Sequence, residues 1–204
     1  MVKYREHMKR NIFYLLFLGF SILNANIIRS QTTISEQSNW KADISHSKIG
    51  FAITHLLISE IEGHFSEFEI TATADDAFSE PSFTVELKTG SIDTDNDRRD
   101  EHLRSADFFD AETHPIITFK TTTFEKTGEK IFKLTGDLTI HGVTKPVILK
   151  GKLNGIITDQ RSNKLKAGLK LTGTIDRLAY KVGGDTLTLG DEVKMIINLE
   201  MAQQ

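Results

Sequence analysis

The chain has 204 residues, 25 Lys and Arg against 28 Asp and Glu, 39% hydrophobic residues and no cysteine. The missing cysteine excludes disulfides, thiolate chemistry and a lipid-modified amino-terminal cysteine. A formal charge of −3 without a basic stripe argues against nucleic acid as a partner.

The first thirty residues read as a secretion signal. Lys3, Arg5, Lys9 and Arg10 form a basic start, and residues 12–23 form an apolar run. A run of about a dozen residues is short for a membrane span, which needs about 20, and suits a cleaved signal peptide. Cleavage is expected after Ser30, before Gln31, although Ile28 is a poor residue at that spacing; a retained signal anchor is the alternative. Residues 31–39 are polar and read as a loose arm, and residues 40–204 as one domain. Without residues 1–30 the chain keeps 20 basic and 27 acidic residues.

From Trp40 the period is two. Trp40, Ala42 and Ile44 alternate with polar neighbours, then Phe51 and Ile53, then Phe68, Ile70, Ala72 and Ala74, then Phe83, Val85 and Leu87. After a break the pattern resumes at Ile117 and Phe119, Phe132 and Leu134, Val147, Leu149 and Leu153. It continues through Leu165, Ala167, Leu169, Leu171 and Ile175, and ends with Val193, Met195, Ile197, Leu199 and Met201. Alternation repeated at least eight times predicts antiparallel strands with one apolar face. Asp75-Asp76, Thr127-Gly128, His141-Gly142 and residues 159–163 supply the turns. Asn154-Gly155 is a strong local hairpin signal, but a hairpin there leaves only residues 156–158 before the next turn. It is therefore read as a bulge within one long strand.

The break, residues 93–119, changes character three times. Residues 95–105 are densely charged, Phe108 and Phe109 follow between Asp107 and Asp110, and a strand enters through Pro115. A short helix fits Asn96 to Ser105, capped by Asp95 or Asn96 with acidic residues in its first turn. Leu103, Ala106, Phe108 and Phe109 need apolar partners while the charges around them need water, so the segment is expected to lie across one end of the barrel.

Eight or more strands with one apolar face must close or sandwich, and closure removes exposed edges. An eight-stranded barrel holds packed side chains or one slender ligand. Periodicity leaves both interiors open; small residues at Ala72, Ala74, Ala167 and Gly173 lean toward a hollow one.

The run R-D-x-H-L-x-S-x-D-F-F-D-x-x-x-x-P-x-I-x-F, from Arg99 to Phe119, resembles the signature of the YceI-like family. Further pieces are similar in order and spacing. They are Asp43-x-x-His46-Ser47-x-Ile49-x-Phe51 with His55-Leu56, Gly63-x-Phe65, residues 91–94, residues 136–147, and Gly190-Asp191-x-Val193. The resemblance spans residues 40–201. One departure stands at Arg177-Leu178-Ala179-Tyr180, where relatives tend to carry an acidic residue and then Phe-Gly. The resemblance implies an all-β protein, a single antiparallel eight-stranded lipocalin-like barrel with a short helical crossover. It also implies binding of a polyisoprenoid lipid, such as an isoprenoid quinone or polyprenyl phosphate, in the bacterial periplasm.

On that reading the apolar channel is lined by Phe51, Ile53, Phe68, Ile70, Phe83, Val85 and Leu87 from the first half. Ile117, Phe119, Leu149, Leu169, Leu171, Met195 and Ile197 line it from the second. Arg98, Arg99, Arg104, Phe108 and Phe109 are expected at the ligand entrance, the arginines as donors for an anionic or polar head. Binding of a fatty acid or fatty amide in the same barrel, and a packed-core stress or interaction protein with no ligand, are the alternatives.

An enzyme is the weaker reading. No G-x-S-x-G occurs, and Asp43, His46 and Ser47 read as a turn between strands. The remaining histidines have no metal-ligand spacing, so no catalytic residues, metal or required cofactor are expected. Transient membrane contact fits a lipid ligand; composition sets no oligomeric state, and a homodimer is compatible with it. The intact mass of the secreted protein is expected to match a chain beginning at Gln31, and a mass retaining residues 1–30 would instead mark an anchor.

Overall fold

A computed structural model describes residues 36–204; residues 1–35, with the expected signal peptide and the first part of the expected arm, lie outside the described residues. There are eleven strand segments and one α-helix among them. The segments are β1 (Ser38–Ala42), β2 (Lys48–His55), β3 (Ser59–Phe65), β4 (Phe68–Ala74), β5 (Ser82–Lys88) and β6 (Ile92–Asp93). Helix α1 (Asp97–Arg104) follows, and then β7 (Ile116–Lys126), β8 (Ile131–Ile140), β9 (Val143–Thr158), β10 (Leu165–Asp176) and β11 (Leu189–Gln203). No helix among the described residues is long and apolar enough to cross a membrane. β1 begins before Trp40: Ser38 and Asn39 pair with Ala74 and Thr73, so they belong to the barrel and not to the arm. Ladder hydrogen bonds use backbone alone, which is why polar side chains hid the start of this strand.

The sheet closes on itself in the order β1-β4-β5-β7-β8-β9-β10-β11 and back to β1, every pairing antiparallel. The other three segments continue broken strands. β2 follows β1 after a 3-10 turn at Ile44–His46, β3 runs into β4 through Ser66 and Glu67, and β6 follows β5 after a turn at Thr89–Ser91. Counting each broken pair once gives eight strands in simple up-and-down order. The second and third breaks lie side by side. Ser66 N donates to Ser91 O at 3.0 Å and Glu67 N to Ser91 Oγ at 3.1 Å, while Ser91 Oγ donates to Lys88 O at 2.7 Å. One serine thereby satisfies backbone groups that both ladders release.

Burial follows the alternation. In β4, Phe68, Ile70, Ala72 and Ala74 are buried and the residues between them exposed. β9 is one strand of sixteen residues. Its pairing with β10 shifts between Gly155↔Gly168 and Leu153↔Leu169, leaving Asn154 as the extra residue of a bulge. His141 and Gly142 both take positive φ, 50° and 73°, in the two-residue turn between Ile140 and Val143.

One end of the barrel is filled. Trp40 is fully buried, donates from Nε1 to Ala74 O at 3.3 Å, and meets Phe78 edge to face at 4.9 Å. Trp40 stands opposite Ala72, and Ala167 stands opposite Met201. The small inward residues thus seat the large side chains of this plug, contrary to the expectation that they leave the barrel hollow. Gly173 likewise admits its neighbours: a β-carbon there would lie 2.7 Å from Leu149 Cδ2 and 3.0 Å from Met195 Cε. Trp40→Ala is expected to cost about 3–5 kcal/mol in urea unfolding, as large-to-small core changes do. A loss below about 1 kcal/mol would show that the plug is not what holds this end.

Candidate functional site

Away from the plug the barrel is hollow. A cavity of about 520 Å³ lies among β2, β5, β7, β9, β10 and β11 and extends to α1 and the β10–β11 loop. That size lies within the range of small-molecule sites, roughly 300–1,000 Å³. Of the channel residues expected from the sequence, Phe51, Ile53, Phe83, Val85, Leu87, Ile117, Phe119, Leu149, Leu171, Met195 and Ile197 line it. Phe68, Ile70 and Leu169 do not; they are buried in the filled part of the core with Trp40, Phe78 and Met201. Alternation tells which face a side chain takes but not its depth along the barrel, so residues level with the plug looked the same as residues around the cavity.

The sequence reading missed several lining residues. Leu134, Leu138 and Ile140 of β8, with Val147 of β9, complete the wall, and their alternation was the available signal. Phe65, Ile92 and Thr94 come from the broken strands β3 and β6 and their continuation. The β10–β11 loop adds Arg177, Tyr180, Val182, Thr186 and Thr188, which no periodicity could mark.

The polar groups gather at the mouth. β6 has only two residues and pairs with β3 alone, while β7 starts beside β5 after the α1 segment. The gap between β6 and β7 is therefore covered by α1. Asn96 caps this helix, its Oδ1 accepting from Arg99 N at 3.0 Å. Asp100, 4% exposed, accepts from Thr94 N at 3.0 Å and Thr94 Oγ1 at 2.5 Å. Arg99 donates from Nε to Thr94 Oγ1 at 2.7 Å and from Nη2 to Thr94 O at 2.6 Å, and it lines the cavity. Leu103, Phe108 and Phe109 also reach the cavity from this segment. Phe109 meets Phe65 edge to face at 6.1 Å, and Phe108 packs against Gly183, where a β-carbon would lie 2.8 Å from its ring.

Two of the expected entrance arginines lie elsewhere. Arg98 is exposed and off the cavity. Arg104 donates from Nε to Gly90 O and from Nη2 to Ile92 O, both at 2.8 Å. It stands in for the missing strand beside β6, satisfying carbonyls that β7 would otherwise take. Helical spacing turns Arg98 and Arg104 away from the mouth while Arg99 faces it.

Across the mouth, Arg177 organises the β10–β11 loop. Only 4% exposed, it donates to Gly190 O, Val182 O, Gly184 O, Leu189 O and Asp191 Oδ1, at 2.8–3.3 Å. This is the stretch where the sequence departs from its resemblance, and the arginine makes the loop one hydrogen-bonded unit. Tyr180 lines the cavity; its hydroxyl is buried without a hydrogen-bond partner, and burial pushes its pKa up.

Two further side-chain clusters lie outside the cavity wall. Asp43, His46 and Glu200 lie near the first strand break, where Lys166 Nζ pairs with Glu200 at 2.7 Å, Asp159 at 3.6 Å and Asp43 at 4.0 Å. The ammonium thus occupies the place a cation would take. The His46–Asp43 hydrogen bond at 2.9 Å lowers the aspartate pKa and raises that of the histidine. Ser47 Oγ accepts from Glu200 N at 3.0 Å and so anchors the break to β11 rather than serving His46. At the cavity end, Asp110, His114 and His141 lie together, the two imidazole centroids 4.5 Å apart, and His141 Nδ1 is buried without a partner.

An up-and-down antiparallel barrel with an apolar cavity, plugged at one end and rimmed by polar groups at the other, defines a lipocalin-like barrel. The chain belongs to the YceI family: residues 40–201 match its YceI-like domain. It is 33% identical to protein YceI of Escherichia coli over 198 residues, 97% of this chain and all of that protein. The Campylobacter jejuni YCEI crystal structure superposes with a TM-score of 0.69 at 34% identity, covering 74% of this chain and 90% of that one. A polyisoprenoid binding domain from Saccharophagus degradans, implicated in plant cell wall breakdown, shares the fold. Its TM-score is 0.59 at 13% identity, over 81% of this chain and 98% of that one.

Arg177→Ala is expected to destabilise the protein by about 1–3 kcal/mol, because it removes the buried guanidinium that satisfies four backbone carbonyls. Arg98→Ala is expected to change stability by no more than about 0.5 kcal/mol. Chemical denaturation of both variants checks the contrast; equal effects would contradict it.

Proposed function

We propose that the protein is a non-catalytic binder and carrier of an isoprenoid lipid, either an isoprenoid quinone or a polyprenyl phosphate, in the periplasm. The observation that carries this reading is the cavity: about 520 Å³, walled almost wholly by Phe, Leu, Ile, Val and Met side chains, closed below by Trp40 and rimmed by polar groups. Burying a CH₂ is worth about 0.8 kcal/mol relative to water, so a prenyl tail does not cross an aqueous compartment unshielded. An apolar barrel offers it surroundings similar to those it left, and exchange with a membrane is then close to neutral. The polyisoprenoid binding named for the Saccharophagus degradans relative supports the ligand class.

The tail fits between Phe51, Val85, Phe119 and Met195, with the head at the rim. There Arg99 uses Nε and Nη2 on Thr94 and leaves Nη1 for an acceptor. A guanidinium held from below suits a phosphate or a quinone carbonyl. Phe108 and Phe109 stand at the same opening and act as its gate.

Native mass spectrometry of the purified protein, followed by lipid extraction, is expected to find an isoprenoid lipid at one per chain. Val85→Phe and Met195→Phe, which fill the cavity, are expected to lose that lipid while unfolding near the wild-type temperature. A co-purified fatty acid or fatty amide would replace the ligand class. A wild-type protein that neither carries nor takes up any lipid would leave an interaction module without a lipid ligand; the cavity already sets aside a packed core.

A further inference from the structure

The turn between β2 and β3 is built against local preference. Leu56 and Leu57 both adopt left-handed backbone, φ 52° and 61°, and Ile58 N donates to His55 O at 3.2 Å to close the turn. A turn whose two central residues both take positive φ favours Asn-Gly because a β-carbon there is crowded, and leucine has no side-chain hydrogen bond to offset that. The same turn is apolar and exposed. Leu57 is 85% and Ile58 86% exposed, and Leu187 in the β10–β11 loop is 98% exposed. Leu56 N donates to Thr188 O at 2.8 Å, and His55 pairs with Leu189, so the turn and the loop form one tip. His55, Thr186, Thr188 and Leu189 line the cavity, which places this tip on its rim.

Local strain and exposed aliphatic surface therefore coincide beside the opening of an apolar cavity. We propose that the tip is a membrane-docking device. Leu57, Ile58 and Leu187 enter the interfacial layer of a bilayer and set the cavity mouth against lipid, so that cargo moves without crossing water. The proposal rests on the lipid-binding reading and names the second partner that reading requires.

The chemistry favours a bilayer over a protein. Two convex turns present flexible aliphatic side chains, without the aromatic and arginine anchors that mark protein hot spots. Charges around the tip are mainly acidic: Glu60, Glu62, Asp185 and Glu192 against Lys181 and Lys194, the latter paired with Glu60. Insertion is then driven by apolar burial and not by attraction to anionic lipid. Zwitterionic vesicles are the matched surface, and salt has little effect on binding.

The test uses co-sedimentation of the purified protein with phosphatidylcholine vesicles, with and without added phosphatidylglycerol. Asparagine tolerates left-handed backbone, so Leu57→Asn keeps or raises the melting temperature. Leu57→Asn combined with Leu187→Ser is expected to weaken vesicle binding by about tenfold or more, the scale set by exposing two leucines. It should also slow transfer of lipid between vesicle populations in proportion. Lipid bound per chain, measured by native mass spectrometry on the same samples, should not change. Equal vesicle binding by wild type and the double variant would overturn the docking role, as would failure of the wild type to bind vesicles. A wild type that self-associates through the tip, and loses this on substitution, would also overturn it in favour of a protein interface. Vesicle binding that depends on the tip in a protein that holds no lipid would support docking while removing the lipid-binding reading.

Discussion

Closure of the barrel depends on β11 holding three neighbours. Along its fifteen residues it pairs with β10 over nearly its whole length, with β2 over its first part and with β1 over its last. The break between β1 and β2 is what permits this: the strand turns outward at Asp43 and returns at Lys48, anchored by Ser47 on Glu200 N. A closed ladder leaves almost no unpaired backbone, so the interior can remain empty without an edge being exposed to another chain.

The exception to closure is the mouth. Where β6 stops after two residues, the ladder toward β7 is interrupted and backbone carbonyls are left over. Arg104 satisfies two of them, and α1 covers the gap with Leu103, Phe108 and Phe109 turned to the cavity. Charge and apolar surface on one short segment are therefore both used: the first replaces missing hydrogen bonds, the second forms a wall. Opposite, Arg177 satisfies two carbonyls of the β10–β11 loop and two at the start of β11 in the same manner. Arg99 faces the same opening and keeps one guanidinium nitrogen without a protein hydrogen bond.

Depth decides the rest of the interior. Trp40 and Phe78 fill one end, and the alanines opposite them are small because the indole needs the room. Beyond that layer the cavity begins, walled by side chains that include Phe51, Phe83 and Phe119. The rim where it ends combines Leu57, Ile58 and Leu187 with a polar ring. The cavity is thus sealed at one end and apolar-edged at the other.

Much of this was legible in the chain. Alternation at period two gives the strands, the faces and their antiparallel arrangement, because a strand with one buried face must repeat apolar residues at every second position. A short helix within 96–105, a cap at Asp95 or Asn96 and a bulge at Asn154-Gly155 follow from local chemistry as well; the structure selects Asn96 as the cap and Asn154 as the extra residue. Family motifs, spread from the first strand to the last, point to the barrel. Tertiary structure alone decided which inward residues meet the cavity and which meet the plug. Phe68, Ile70 and Leu169 share the periodicity of Phe83 and Leu171 but sit at another level of the barrel. It also decided that Arg99 faces the mouth while Arg104 binds backbone, since that depends on where β6 ends relative to β7. Periodicity reports a face; depth and hydrogen-bond partners are set by which distant strands close the ring, and that information is not local.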